Sequence, residues 1–88
     1  MVKSYRHRQI LNVVEALQYT GINYDEMKAF AGKNCFFMIH EDDSREDYIV
    51  SIAGYYTKLN RGDYVVKEKD GYCIHGPGVF KEIYAEVE

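Results

Sequence analysis

Between Asn60 and Tyr84 the chain reverses too often to build anything but short antiparallel elements. Asn60-Arg61-Gly62 is a turn, Asp63–Glu68 is rich in β-formers, and Asp70-Gly71 leads back into Tyr72-Cys73-Ile74-His75. An Asp-Gly pair between two β-forming runs reads as a hairpin with a two-residue type I′ loop, strands 63–68 and 72–75. Pro77 suits the first position of a short helical turn running to Ile83.

Upstream, residues 23–31 carry the helix signal. Asn23 is a good N-cap, Glu26 completes a capping box, and Ile22 and Met27 stand at the two positions of a hydrophobic staple. Tyr24, Met27, Phe30 and Ala31 share one face, and Gly32 suits the position after the helix. Residues 9–19 are ambiguous: Ile10, Val13, Val14 and Leu17 fit helical spacing, but no capping residue starts a helix and the β-branched pair favours a strand. Residues 34–40 are a continuous apolar run suited to a buried strand, and 41–47 an acidic loop. Residues 48–52 and 55–59 read as strands around Ala53-Gly54. Residues 1–8 are basic and polar, a loose arm or an edge strand. Eighty-eight residues make one domain with a small core. The class is α+β: a small, curved antiparallel sheet, open or partly closed into a barrel, covering one main helix.

The motifs also occur in a familiar order. Val14-Glu15-Ala16-Leu17-Gln18-Tyr19-Thr20-Gly21 lies near the start, and Gly62-Asp63-Tyr64-Val65-Val66-Lys67, the Gly71 hairpin and Phe80-x-x-x-Tyr84 lie near the end. This resembles a family of small proteins encoded by phages and prophages. Its members begin with a basic segment and a Val-Glu-Ala-x-Gln-aromatic-Thr-Gly strand, and close on Phe-x-x-x-Tyr. The likeness covers both ends of the chain and the middle loosely. It implies a phage origin and supports a strand over residues 9–19.

Net charge is -3, which disfavours generic nucleic-acid binding. No apolar run reaches the roughly 20 residues that span a bilayer, and the N-terminus has no signal-peptide apolar region, so the expected place is the host cytoplasm. Cys35 and Cys73 are then expected as thiols. Nine Tyr and four Phe, with no Trp, supply much of the apolar area. Rings that carry a hydroxyl are expected partly at a surface or groove.

Chemical constellations are few. Cys35, His40, Cys73 and His75 suggest zinc, but Cys35 and His40 are five apart on one predicted strand and point to opposite faces. No metal or other cofactor is expected. Cys73 and His75 share a strand face without a third group, so packing is the expected role and no catalytic residue is assigned. Arg61-Gly62-Asp63 reads as a turn rather than an adhesion tripeptide. What remains is aromatic plus basic: Tyr55, Tyr56, Lys58 and Arg61, with Arg6, His7 and Arg8 close by if the N-terminal arm pairs at the sheet edge. Tyr rings stack on bases while Arg and Lys hold phosphate.

The expected function is binding without turnover, by a phage protein of host takeover or counter-defence that sequesters a nucleotide immune signal. Its ligand site would be Arg6, Arg8, Tyr55, Tyr56, Lys58 and Arg61, and a homo-oligomer is expected because a pocket forms more easily at a subunit boundary than inside so small a core. The alternatives are an inhibitor that binds a host or defence enzyme through the acidic loop as a charge mimic, a phage structural module and, least favoured, a small enzyme.

Overall fold

A computed structural model describes residues 1–9 and 12–87. Eight strands and two short helices follow in the order β1 (Lys3–His7), β2 (Val13–Gln18), α1 (Tyr24–Ala31), β3 (Cys35–Ile39), β4 (Arg45–Val50), β5 (Tyr56–Lys58), β6 (Tyr64–Glu68), β7 (Gly71–His75), α2 (Pro77–Ile83) and β8 (Tyr84–Glu86). They form two antiparallel sheets, β7-β6-β2-β1-β8 and β3-β4-β5. The fold is α+β as expected. The large sheet is open, ending in β7 on one side and β8 on the other, so the barrel alternative does not hold.

β2 lies at the centre of the large sheet, and its alternation supplies both layers of the core. Leu17 and its cross-strand neighbour Val65 face α1 and the small sheet, packing with Met27, Ala31, Cys35 and Ile49. Val14, Ala16 and Val66 face the other way, onto Phe80 of α2 and Tyr84 of β8. Phe80 is stacked on Tyr64 at 3.9 Å and meets Tyr5 edge-on at 4.8 Å. Edge and stacked ring pairs add to what area burial alone contributes. Of the ambiguous segment 9–19, the part from Val13 is strand, while Ile10 of the helical pattern lies outside the described residues.

Several local expectations need correction. Residues 1–8 form neither a loose arm nor an edge: β1 is paired on both sides, with β2 and β8. β8, three residues long, escaped the sequence reading and forms the edge instead. The helix starts after Asn23 as expected, but not through a side-chain cap. Asn23 Oδ1 accepts from the Thr20 N–H and its Nδ2 donates to the Gln18 carbonyl, so the residue ties the end of β2 to the helix. Ile22 is 89% exposed and makes no staple. Glu26 pairs with the N-terminal amine at 2.7 Å.

The Asp-Gly hairpin is present, with its register moved by one. Glu68 faces Gly71, so Lys69 and Asp70 are the loop. Among the described residues Asp43 is the sole non-glycine with positive φ, which excludes type I′ at Lys69-Asp70. Gly71 takes φ +154° at the start of β7, where an added Cβ would lie 3.2 Å from the Ile52 Cα.

Two outcomes test this account. If Asn23 served as a cap, Ser would replace it. Because it bridges two backbone groups across a loop, Asn23→Ser and Asn23→Ala should both lower stability by about 1 kcal/mol in thermal melts. A silent Asn23→Ser would restore the cap. Gly71→Val should cost about 2 kcal/mol or more, through positive φ and the clash with the Ile52 backbone, and an unchanged melting temperature would contradict the register.

Candidate functional site: an open aromatic sheet face

The small sheet has one covered and one bare face. Cys35 and Ile49 point inward and are fully buried, with Thr57 opposite Ile49. Side chains of the opposite parity point out: Phe36 and Met38 of β3, Glu46, Tyr48 and Val50 of β4, Tyr56 and Lys58 of β5. Phe36 lies parallel to Tyr48, centroids 5.3 Å apart, and meets Tyr56 edge-on at 5.4 Å. Tyr56 is 73% exposed.

The polar groups of this face converge on Glu46. Tyr48 Oη donates to it, His40 Nε2 lies 3.3 Å away and Lys58 Nζ 3.5 Å. The Tyr48 hydroxyl, then the Lys58 and His40 charges, hold the Glu46 carboxyl below its ordinary range, while the same bond raises the Tyr48 phenol. A sheet face with three adjacent rings, a carboxylate and an ammonium can take a flat ring by stacking and fix its substituents by hydrogen bonds.

The expected site residues are divided between the two sheets. Tyr56 and Lys58 sit on the bare face, while Tyr55, 72% exposed at the end of the β4–β5 turn, has the opposite parity, that of Thr57. Arg61 is directed elsewhere, its Nε donating to the Thr20 carbonyl. Gly62 (φ +97°) donates to the Tyr19 carbonyl and Asp63 accepts from the Asn60 N–H, so Arg61-Gly62-Asp63 is a turn docked on the end of β2. Arg6 and Arg8 belong to the large sheet. Arg8 Nε donates to the Lys81 carbonyl and lines an open groove of about 360 Å³ with Lys3, Tyr5, Tyr64 and Glu86. In that groove Tyr5 and Tyr64 are half-buried on Phe80 and Lys3 is paired with Glu86 at 2.9 Å, so none of its rings is as open as Tyr56.

Phe36 and Tyr48, the centre of the face, were missed. The reading of 34–40 as a buried strand hid Phe36. Only Cys35 of β3 is buried, while Phe37, Met38 and Ile39 are 43%, 44% and 63% exposed. β3 is the outer strand of a sheet that covers one part of a small core, so its later residues run past the core. The alternation Glu46, Tyr48, Val50 against Asp47, Ile49 was the available signal for Tyr48.

The acidic loop also needs correction. Glu46 and Asp47 lie in β4. Asp47 is 6% exposed and accepts from Tyr19 Oη at 2.5 Å and Arg45 Nε at 3.0 Å. The Arg45 guanidinium in turn lies over the Tyr24 and Phe37 rings at 4.5 and 4.2 Å. Asp42 Oδ1 accepts both the N–H and the hydroxyl of Ser44, building the turn.

Burial pushes the Cys35 and Cys73 thiols up, away from the thiolate form a nucleophile needs. Among the described residues no group of three or more His, Cys, Asp or Glu is placed to hold a metal ion. Among them, too, no helix is long and apolar enough to cross a membrane. Comparisons with protein-family models, curated proteins and solved structures find no match.

Burial, then the Asp47 bond and charge, push Tyr19 up to about 12; burial, then the Glu68 charge, do the same for Tyr84. Both phenols bind their protons more tightly folded than unfolded, so their contribution to stability is intact below pH ~10 and is lost as pH rises towards about 12. Tyr19→Phe should therefore cost about 1–3 kcal/mol at neutral pH by removing a donor from a buried carboxylate, and flatten the alkaline decline. Chemical denaturation at pH 7, 10 and 11.5 reads both effects. An unaltered alkaline decline in the variant would contradict the assignment.

Proposed function

We propose that this is a non-enzymatic binding protein of the phage counter-defence or host-takeover kind, and that it sequesters a nucleotide signal on the bare face of β3-β4-β5. The observation that carries the reading is the ring cluster on that face, in which Tyr56 is 73% exposed and packs edge-on against the half-buried Phe36, itself stacked on the half-buried Tyr48. A ring left in water on a regular sheet face, as Tyr56 is, is costly to keep there and is suited to stacking a base. Lys58 would meet phosphate, and Glu46 would accept from an exocyclic amine of the base, the role a carboxylate takes towards amino-bearing base edges. Tyr55, of the opposite parity, is not needed for this site. Arg61, Arg6 and Arg8 are not needed for this site.

The charge-mimic alternative has less support. Of its five carboxylates, Asp47 is buried, Glu46 is paired within the sheet and Asp42 builds a turn, leaving Glu41 and Asp43. Two charges on a turn make a poor copy of a phosphate backbone.

Calorimetric titration with cyclic di- and trinucleotides and cyclic ADP-ribose isomers tests the proposal. One of these should bind, Tyr56→Ala should weaken it by about 1–3 kcal/mol, and Lys58→Ala should weaken it and reduce its salt dependence. Glu41→Gln with Asp43→Asn should leave the affinity unchanged. No heat with any nucleotide, together with activity in a phage plating assay lost only in the acidic double variant, would reject the stacking reading and select the inhibitor.

A further inference from the structure

β3 leaves the backbone groups of two of its five residues without a partner. His40 N–H donates to the Ser44 carbonyl across the β3–β4 turn, so by strand alternation residues 36 and 38 also point at β4, and 35, 37 and 39 point outward. Cys35 is already satisfied on that outer side: its N–H donates to the Gly32 carbonyl and its carbonyl accepts from Lys28 Nζ at 2.7 Å. The N–H and C=O of Phe37 and Ile39 take no partner among the described residues. Beyond Cys35 the edge lacks the charge and the proline that commonly guard such a strand, and its last three side chains are exposed.

We infer that β3 pairs antiparallel with β3 of a second copy of this chain, joining the two small sheets into one continuous six-stranded sheet about a twofold axis at Met38. This register sets Phe37 opposite Ile39 of the partner subunit, each N–H donating to the other's carbonyl, and so closes every free group of the edge. A register centred on Phe37 would instead oppose Ile39 to Cys35, whose groups are already bonded. Charge supports the same arrangement. The start of β3 is flanked by Lys28 and Lys33 and its end by Glu41, Asp42 and Asp43. Antiparallel pairing of two copies therefore brings each basic end beside an acidic end, twice. A parallel pairing would set like charges together. Met38 of the two copies then meet at the axis, each Phe36 lies opposite the partner's His40, and the two aromatic faces become one surface. The pairing itself does not depend on what that surface binds.

Sedimentation of ligand-free protein tests the inference apart from any nucleotide. Wild type should sediment as a dimer at micromolar concentration and dissociate with rising salt. Ile39→Pro removes one outward N–H while leaving the bonds to β4 intact, a place where strands tolerate proline. It should be a folded monomer by circular dichroism. Lys33→Glu should weaken the dimer about tenfold through like charge, and adding Glu41→Lys should restore it. A wild type that stays monomeric at 100 µM or so, given the micromolar range typical of modest interfaces, would overturn the inference. So would a dimer unaffected by Lys33→Glu, or open-ended aggregation in place of a dimer.

Discussion

The hydrogen bond from Tyr19 to Asp47 ties the two sheets together, and the rest of the structure depends on it. Tyr19 directly follows β2, the central strand of the large sheet, and its N–H and C=O bond Asp63 and Gly62 in the approach to β6. Asp47 is in the middle strand of the small sheet, and its carbonyl accepts the Leu59 N–H. One side-chain contact thus joins β2, β4 and the β5–β6 connection. A buried carboxylate is stable only when its lone pairs are occupied, and Tyr19 and Arg45 occupy them from two directions. Arg45 is fixed in turn between Tyr24 and Phe37, which brings the start of α1 into the same cluster.

This anchoring sets which surface is left open. With Cys35 and Ile49 facing the core and Asp47 held by Tyr19, the opposite parity of β3, β4 and β5 has to point outward. Among the described residues the two α-helices are used elsewhere: α1 is on the covered side while α2 serves the far face of the large sheet. Neither helix is left to cover the outer face of Phe36, Tyr48 and Tyr56. The bare face follows from the economy of a short chain as much as from any binding role. Its aromatic composition is what calls for a functional explanation, since polar residues there would leave the fold equally well packed.

Local chemistry was legible in the sequence and long-range placement was not. The helix was readable because Met27 and Ala31 repeat at helical spacing and Gly32 ends it; Asn23 was found as the boundary for a different reason from the true one. The 63–75 hairpin was readable from β-branched runs around Asp70-Gly71, but the register slipped by one because Ile52, brought close by the fold, decides where Gly71 is needed. The apolar run Cys35–Ile39 looks the same whether it lies at the centre of a sheet or at its edge, and only the strand order separates the two. Asp47 sits among five acidic residues, and nothing local marks it as the buried one. The site was half visible: Tyr56 and Lys58 stand two apart on one strand, while Phe36 and Tyr48 reach them only through the β3–β4–β5 ladder.

The central claim is that binding takes place on the bare face of the small sheet. Aromatic and backbone NMR spectra, recorded as a bound nucleotide is titrated in, test it most directly. The account predicts shifts confined to Phe36, Glu46, Tyr48, Tyr56 and Lys58, with the Tyr5 and Tyr64 rings beside α2 unmoved. Shifts centred on Tyr5, Tyr64 and Arg8, or on the Glu41–Asp43 turn, would contradict it.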